Sequence, residues 1–208
     1  MPGERIPATA RGEATRRKLL DAAEAEFGGK GFHGASVSSI TTRADIGQGT
    51  FYLYFRSKEE IFSVLVRELG HALRSHLAQD VAGAGRNRMQ VERRGIEGFL
   101  QFTLEHPGVY RIVQEAQFVD EGAFRDYYLQ LAQRYTAALE DSAKRGELAK
   151  GSAEERAWAM MGISHFLGLR HSLWSGALPA KKKLDEVMDF IANGMAPRPT
   201  GTSSGRKK

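Results

Sequence analysis

Apolar residues recur every three or four positions along nearly the whole chain, and this spacing restricts the possible fold more than any other feature. After Ser57, for example, apolar side chains follow at Ile61, Leu65 and Leu69. No segment alternates apolar and polar residues over the length of a strand. The sequence therefore predicts an all-α fold of about nine helices, as one domain or as a small module joined to a larger one.

The composition allows a core and argues against several classes of protein. Hydrophobic residues make up 41% of the 208, and the absence of cysteine excludes disulfides and thiolate metal sites. No apolar run is long enough for a membrane span or a signal segment, so we expect a cytoplasmic protein. The six histidines lack the spacing of a metal site, and nucleophile and phosphate-loop motifs are absent. We therefore expect no enzyme, no cofactor and no metal.

The net charge of +5 is weak support for nucleic-acid binding. Most of the excess lies in residues 181–208, which hold seven Lys and Arg against three Asp and Glu. Any case for DNA binding therefore depends on where particular residues lie.

Glycine, proline and capping residues divide the chain. They predict a flexible arm at 1–11, a small helical segment at 12–57, a larger helical segment at 58–196, and a disordered tail at 197–208. In the second of these, the glycines of GGKGFHG (28–34) are expected to end the first helix near Phe27, and Ser36 and Ser57 are expected to cap later helices. The remaining helices are expected at 48–55, 58–80, 89–105, 107–118, 121–146, 153–176 and 181–195.

Residues 44–60, ADIGQGTFYLYFRSKEE, follow a short helix and a tight turn, which is the outline of a helix-turn-helix. At about 100° per residue, Phe51 and Phe55 share one face of the following helix and are expected to face the core. The outward residues are then Gln48, Gly49, Thr50, Tyr52, Leu53 and Tyr54.

Three of the outward residues suit the edges of DNA bases. Gly49 lets the backbone approach closely, Gln48 can form a bidentate pair with adenine, and Leu53 can contact a thymine methyl group. Other outward residues suit phosphate: the hydroxyls of Thr50, Tyr52 and Tyr54 are donors, and Lys58 adds a cation. The alternative is an ordinary surface helix that carries a few aromatic residues.

Residues 15–65 resemble the DNA-binding domain of TetR-like (tetracycline-repressor-like) bacterial transcription regulators. The resemblance lies in the first-helix pattern, in GF followed by SV, in A-x-I-x-x-G-T-F-Y-x-Y-F and in SKEE before an apolar helix. It covers about a quarter of the chain and implies DNA contacts by Ser36, Ser38, Gln48, Gly49, Thr50, Tyr52, Tyr54 and Lys58.

Three residues depart from the family pattern. Asp45 stands where glycine is common, Gly47 where serine is common, and Thr41 where alanine is frequent. Aspartate tolerates a left-handed backbone, so the turn is expected to form. Gly47 has no side-chain oxygen and therefore cannot make the phosphate contact expected from a side chain there.

The resemblance also implies that residues 12–57 form a DNA-binding domain and that residues 58–196 form a helical domain that binds a small effector and makes a homodimer. Apolar residues of the last two helices fit a four-helix dimer interface, although such stripes also occur in the core of a single chain. The expected interface residues are Trp158, Met161, Leu169, Leu173, Leu184, Val187, Met188 and Ile191.

The middle of the chain is rich in aromatic residues, which either fill a core or line a pocket. Polar residues among them would orient an apolar or amphipathic effector. The residues expected to line the pocket are Phe99, Phe102, Tyr110, Gln114, Phe118, Tyr127, Tyr128, Met160, His165 and Phe166.

Together these patterns predict a ligand-responsive regulator that binds a palindromic double-stranded DNA operator as a dimer. Repression is the usual mode in the family that the sequence resembles. The alternatives are a helical protein-interaction adaptor and, with less support, an enzyme that binds a small molecule.

Overall fold

The computed structural model describes residues 9–85 and 87–195, and in these ranges the regular structure is entirely helical. The prediction of an all-α fold is confirmed. Residues 1–8 and the predicted tail at 197–208 lie outside the described residues. The helices are α1 (Ala10–Gly34), α2 (Val37–Ala44), α3 (Gln48–Tyr54), α4 (Lys58–Ala82), α5 (Arg88–Glu105), α6 (Gly108–Val119), α7 (Glu121–Lys144), α8 (Ala153–Gly168), a π-helical segment (Leu169–Trp174) and α9 (Lys181–Met195).

Side-chain caps set the starts of several helices. Ser36 and Ser39 form a reciprocal capping box at the start of α2, in which the Ser36 hydroxyl accepts from the Ser39 N–H at 3.0 Å. Ser57 accepts from the Glu60 N–H at 3.2 Å and starts α4. Both caps were predicted from the sequence, and both are confirmed.

The first helix differs from the prediction, because α1 does not end near Phe27. It continues to Gly34 with a kink at Gly31, where φ is 75°. A Cβ built on Gly28 would lie 2.9 Å from the Cα of Gly108 at the start of α6. This glycine therefore allows close packing between two helices and does not end one.

Two hydrophobic clusters hold the helices together. The first joins α1, α2, α3 and α4 to the end of α5, to α6 and to the start of α7, and it includes Phe27, Phe51 and Phe62. The second joins α5, the end of α7, α8 and α9, and it includes Leu139 and Met160. Because the first cluster crosses residue 57, the division of the chain there stays a prediction.

The later helix boundaries agree with the sequence to within two residues, except in the region of α8. There the predicted single helix at 153–176 is α8 followed by the π-helical segment. Among the described helices, none combines the length and the apolar character that crossing a membrane requires.

Candidate DNA-binding surface and effector cavity

The turn between α2 and α3 forms despite its unusual sequence. Asp45 adopts the left-handed conformation (φ 55°, ψ 48°), and its N–H donates to the carbonyls of Thr41 and Thr42. The buried Thr41 hydroxyl donates to the Ser38 carbonyl at 3.1 Å, so threonine is accommodated where alanine is frequent. Gly47 precedes α3 with φ −65° and gives it no side-chain cap.

The third helix has a buried face and an exposed face. Phe51 and Phe55 are completely buried, whereas Tyr52 is 47% exposed and Leu53 is 67% exposed. Gln48 and Gly49 are also exposed at its first turn. Thr50 and Tyr54 are half-buried, and Tyr54 packs against the first cluster. Fewer residues of α3 are therefore fully exposed than the sequence predicted.

The residues outside α3 that were predicted to contact DNA differ in whether they face outward. Ser36 and Ser38 are exposed on α2, although the Ser36 hydroxyl already caps the helix. Lys58 does not face outward. Its Nζ donates to the carbonyls of Phe32 at 2.9 Å and Ala35 at 3.0 Å, so the ammonium neutralises the C-terminal end of α1. This geometry corrects the expectation that Lys58 presents its charge to phosphate.

A buried carboxylate fixes α2 against α1. Glu26 accepts from Lys30 Nζ at 2.6 Å and from Arg43 Nε at 2.7 Å. Hydrogen bonds from Lys30, Arg43 and Ser39 lower the pKa of Glu26 to about 2. The carboxylate therefore stays ionised at neutral pH and positions α2 beside α3.

A largely apolar cavity of about 300 Å³ lies between α4, α5, α6, α7 and α8. Such a volume suits a small organic molecule. Six residues predicted from the sequence line it: Phe99, Tyr110, Gln114, Tyr127, Tyr128 and His165. Other lining residues were not predicted, including Arg74, Leu77, Val81, Val113, Leu131 and Arg134. Arg74, Leu77 and Val81 recur at helical spacing on one face of α4, and this spacing could have identified them as lining residues.

Four residues expected in the pocket lie elsewhere. Phe102 is buried in the first cluster and Met160 in the second, because each lies on a helix face that packs against other helices. Phe118 is 85% exposed, one turn beyond the last α6 residue that lines the cavity, and Phe166 is 69% exposed on α8.

The expected dimer residues also divide among several surroundings. Leu184, Met188 and Ile191 are buried in the second cluster, with Val187 packed against it, because the apolar stripe of α9 faces its own chain. The other expected residues are Met161, which lines the cavity, Leu169, which is half-buried, and Trp158 and Leu173, which are exposed.

Several polar residues that line the cavity form hydrogen bonds with other parts of the chain. Tyr135 donates to the buried Glu92 carboxylate, which also accepts from Arg88 Nε at 2.6 Å. Tyr110 donates to the His165 carbonyl at 2.8 Å, and burial lowers the pKa of His165. Across the described ranges, no three His, Asp or Glu side chains come together as metal ligands. The largely apolar lining suits the cavity to binding a molecule of matching shape.

Comparisons with known proteins agree with this geometry. Residues 19–65 match the family model described as bacterial regulatory proteins, tetR family. The uncharacterized HTH-type transcriptional regulator YdgC of Bacillus subtilis (strain 168) is 36% identical over 105 residues. That match spans 49% of this chain and about half, 54%, of the relative.

Solved structures extend the likeness to nearly the whole chain. A TetR-like transcriptional regulator from Rhodococcus sp. RHA1 is 25% identical with a TM-score of 0.69, over 91% of this chain and 97% of that one. A TetR family regulator from Marinobacter aquaeolei VT8 has a TM-score of 0.74 at 17% identity, over 90% and 98% of the two chains, and supports the fold alone. These relatives are regulators and not enzymes. Residues 19–65 thus carry the helix-turn-helix segment that the tetR family model describes, and the chain is similar over most of its length to a TetR-like transcriptional regulator.

Proposed function

We propose that this chain binds a palindromic DNA operator as a homodimer and releases it when a small apolar or amphipathic effector enters the cavity. The observation that carries the proposal is the exposed face of α3. Its Leu53 is 67% exposed although Phe51, two residues earlier, is completely buried. An apolar side chain held outward on a rigid helix costs free energy in water and gains contacts in the major groove.

The residues of this face have separate roles in the proposal. Gln48 reads a base edge, Gly49 allows close approach, and Leu53 contacts a thymine methyl group. The hydroxyls of Tyr52 and Ser38 donate to phosphate oxygens and fix the register of α3 on the duplex. Lys58 contributes indirectly, since it holds the C-terminal end of α1 in place.

The dimer interface is proposed to lie on the outer sides of α8, the π-helical segment and α9. Trp158 and Phe166 are exposed on α8, Trp174 on the π-helical segment and Phe190 on α9. Gly162 leaves open space on α8, which would allow close approach of another helix. Large exposed apolar side chains of this kind are typical of protein interfaces.

Two helices are proposed to carry the response from the cavity to α3. The N-terminal half of α4 packs in the first cluster with α1, whereas Arg74, Leu77 and Val81 of its C-terminal half line the cavity. A tilt of α4 would change the distance between the two recognition helices, which must match half-sites about 34–36 Å apart.

The sixth helix contacts both regions as well. Val113 and Gln114 line the cavity, while Glu115 accepts from the Phe32 N–H at 2.6 Å, just after the kink in α1. A ligand that moves α6 would therefore act on the segment that leads into α2. We propose that α6 and α4 move together.

Selection from a random duplex pool tests the proposal, because it recovers any preferred operator sequence directly. The wild-type protein should enrich an inverted repeat with half-sites about one helical turn apart. Leu53→Ala should lose this enrichment, while Gln130→Ala, at an exposed α7 position, should retain it. Recovery of no preferred sequence by the wild-type protein at physiological salt would contradict the proposal.

A further inference from the structure

Two arginines line the cavity without a carboxylate partner. Arg74 is half-buried on α4, and Arg134 is exposed on α7. Among residues 9–85 and 87–195, neither guanidinium forms a hydrogen bond or an ion pair with another residue. The cavity wall thus carries two positive charges that the described part of the chain does not neutralise.

Gly70 shapes the position of one of these charges. A Cβ built there would lie 3.0 Å from Arg74 Nη1 and 3.0 Å from Cδ2 of the buried Tyr127. The glycine therefore leaves room for the guanidinium beside a tyrosine ring that lines the same cavity. Any larger residue at position 70 would displace one of these side chains.

The third arginine of the cavity shows what a neutralised site looks like. Arg88 is buried, and its charge is balanced by the buried Glu92, which also accepts from Tyr135. The arginines of the cavity therefore differ: Arg88 is paired with a carboxylate, whereas Arg74 and Arg134 have no carboxylate partner among the described residues.

Two like charges beside an apolar cavity are unfavourable without an anion. Burial and the neighbouring Arg134 both lower the pKa of Arg74, which is the direction expected when a charged form lacks compensation. An anionic group bound between the two guanidinium groups would remove this penalty and form charge-assisted hydrogen bonds. The apolar lining would bury the rest of such a molecule.

We propose that the effector is an amphipathic anion, whose negatively charged head group binds Arg74 and Arg134 and whose apolar body fills the cavity. This inference rests on the proposed function only in calling the ligand an effector. Tyr127, Tyr128 and Phe99 pack against the apolar body, and the head group lies where the exposed Arg134 reaches solvent.

Isothermal titration calorimetry on the DNA-free protein tests the inference with matched probes. Octanoate is compared with 1-octanol, and 4-butylbenzoate with 4-butylbenzyl alcohol, so that each pair differs only in the head group. We expect each carboxylate to bind at least about tenfold more tightly than its alcohol, because hydrogen bonds to charged groups contribute this much.

Arginine variants locate the head group. Arg74→Gln and Arg134→Gln should each weaken carboxylate binding by about tenfold and change alcohol binding by less than about twofold. Arg125→Gln is the control, because Arg125 is exposed on α7 nine residues before Arg134, on the opposite face of the helix, and does not line the cavity. Unchanged alcohol binding also reports that each variant is folded.

Three results would overturn the inference: equal binding of the alcohols, carboxylate binding that survives both substitutions, or no binding of either carboxylate. The DNA selection described above contains no ligand, and the calorimetry contains no DNA. Failure of the anion assignment is therefore distinguishable from failure of operator binding.

Discussion

The third and eighth helices both place large apolar side chains at the surface, but only in α3 can this be recognised from the sequence. There, Phe51 and Phe55 are four residues apart and define a single buried face, so the opposite face follows from helical geometry. In α8, apolar residues point in every direction. Its buried residues contact the second cluster, others line the cavity, and Trp158 and Phe166 are exposed.

This contrast shows that helical spacing predicts whether an apolar residue is buried or exposed only when the helix packs against the protein on a single side. One side of α3 packs against the first cluster, and the other side is exposed. The eighth helix has a core on one side, a cavity on another and an exposed outer surface. Predictions that separate these surroundings test the contrast directly.

The largest effect is expected from charges on the outer surface of α8 and α9. Phe166→Glu combined with Phe190→Glu should give a monomer in analytical ultracentrifugation. Operator affinity should fall by about 10² to 10⁴-fold, because the two half-sites would no longer be bound by the two linked subunits of one dimer. Phe118→Glu changes a still more exposed phenylalanine on α6 and should leave the dimer intact. A dimeric double variant would show that the interface lies elsewhere.

The next effect concerns the two faces of α3. Phe51→Ala should lower the free energy of unfolding by about 3–5 kcal/mol, because it removes a completely buried ring. Leu53→Ala, on the exposed face, should change it by less than about 0.5 kcal/mol in the same urea titration. Similar losses for the two variants would contradict the division of α3 into a buried and an exposed face.

A smaller effect is expected for base reading by α3. Gln48→Ala should cost about 1–3 kcal/mol at one base pair of the operator and little at the others. Fluorescence anisotropy with operators substituted at single positions measures this preference. A uniform loss of affinity for every substituted operator would show that Gln48 contacts the DNA backbone instead of a base.

The smallest effect at neutral pH is expected for Glu26, whose hydrogen bonds to Lys30 and Arg43 hold α2 against α1. Glu26→Gln should cost about 1 kcal/mol at pH 7, since the amide oxygen can accept from only one of Lys30 and Arg43, while the other cation, being half-exposed, is hydrated instead. The pKa of Glu26 is lowered from 4.5 to about 2, so its stabilisation is complete above pH 4.5 and is lost as the pH falls toward 2. Urea midpoints at several pH values should show a smaller acid-induced loss in the variant. An unchanged pH dependence would remove Glu26 from this role.

Much of the molecule followed from local sequence signals. The helical class, the caps at Ser36 and Ser57 and the buried face of α3 depend on residues within one or two turns of each other. Such interactions are readable from spacing alone, because helix geometry places near neighbours. Asp45 belongs with them, since its left-handed conformation is a property that aspartate tolerates.

Contacts between distant helices could not be read from the sequence in this way. Gly28 was expected to help end α1, but it is small because α6 passes over it at Gly108. Lys58 was expected to face DNA, but its ammonium group donates hydrogen bonds to carbonyls at the end of α1. Arg74 and Arg134, sixty residues apart in the chain, share one cavity only because α4 and α7 pack together. Local spacing thus specified the helices and the inward face of α3, and packing between distant helices determined which surfaces remain for ligand and partner.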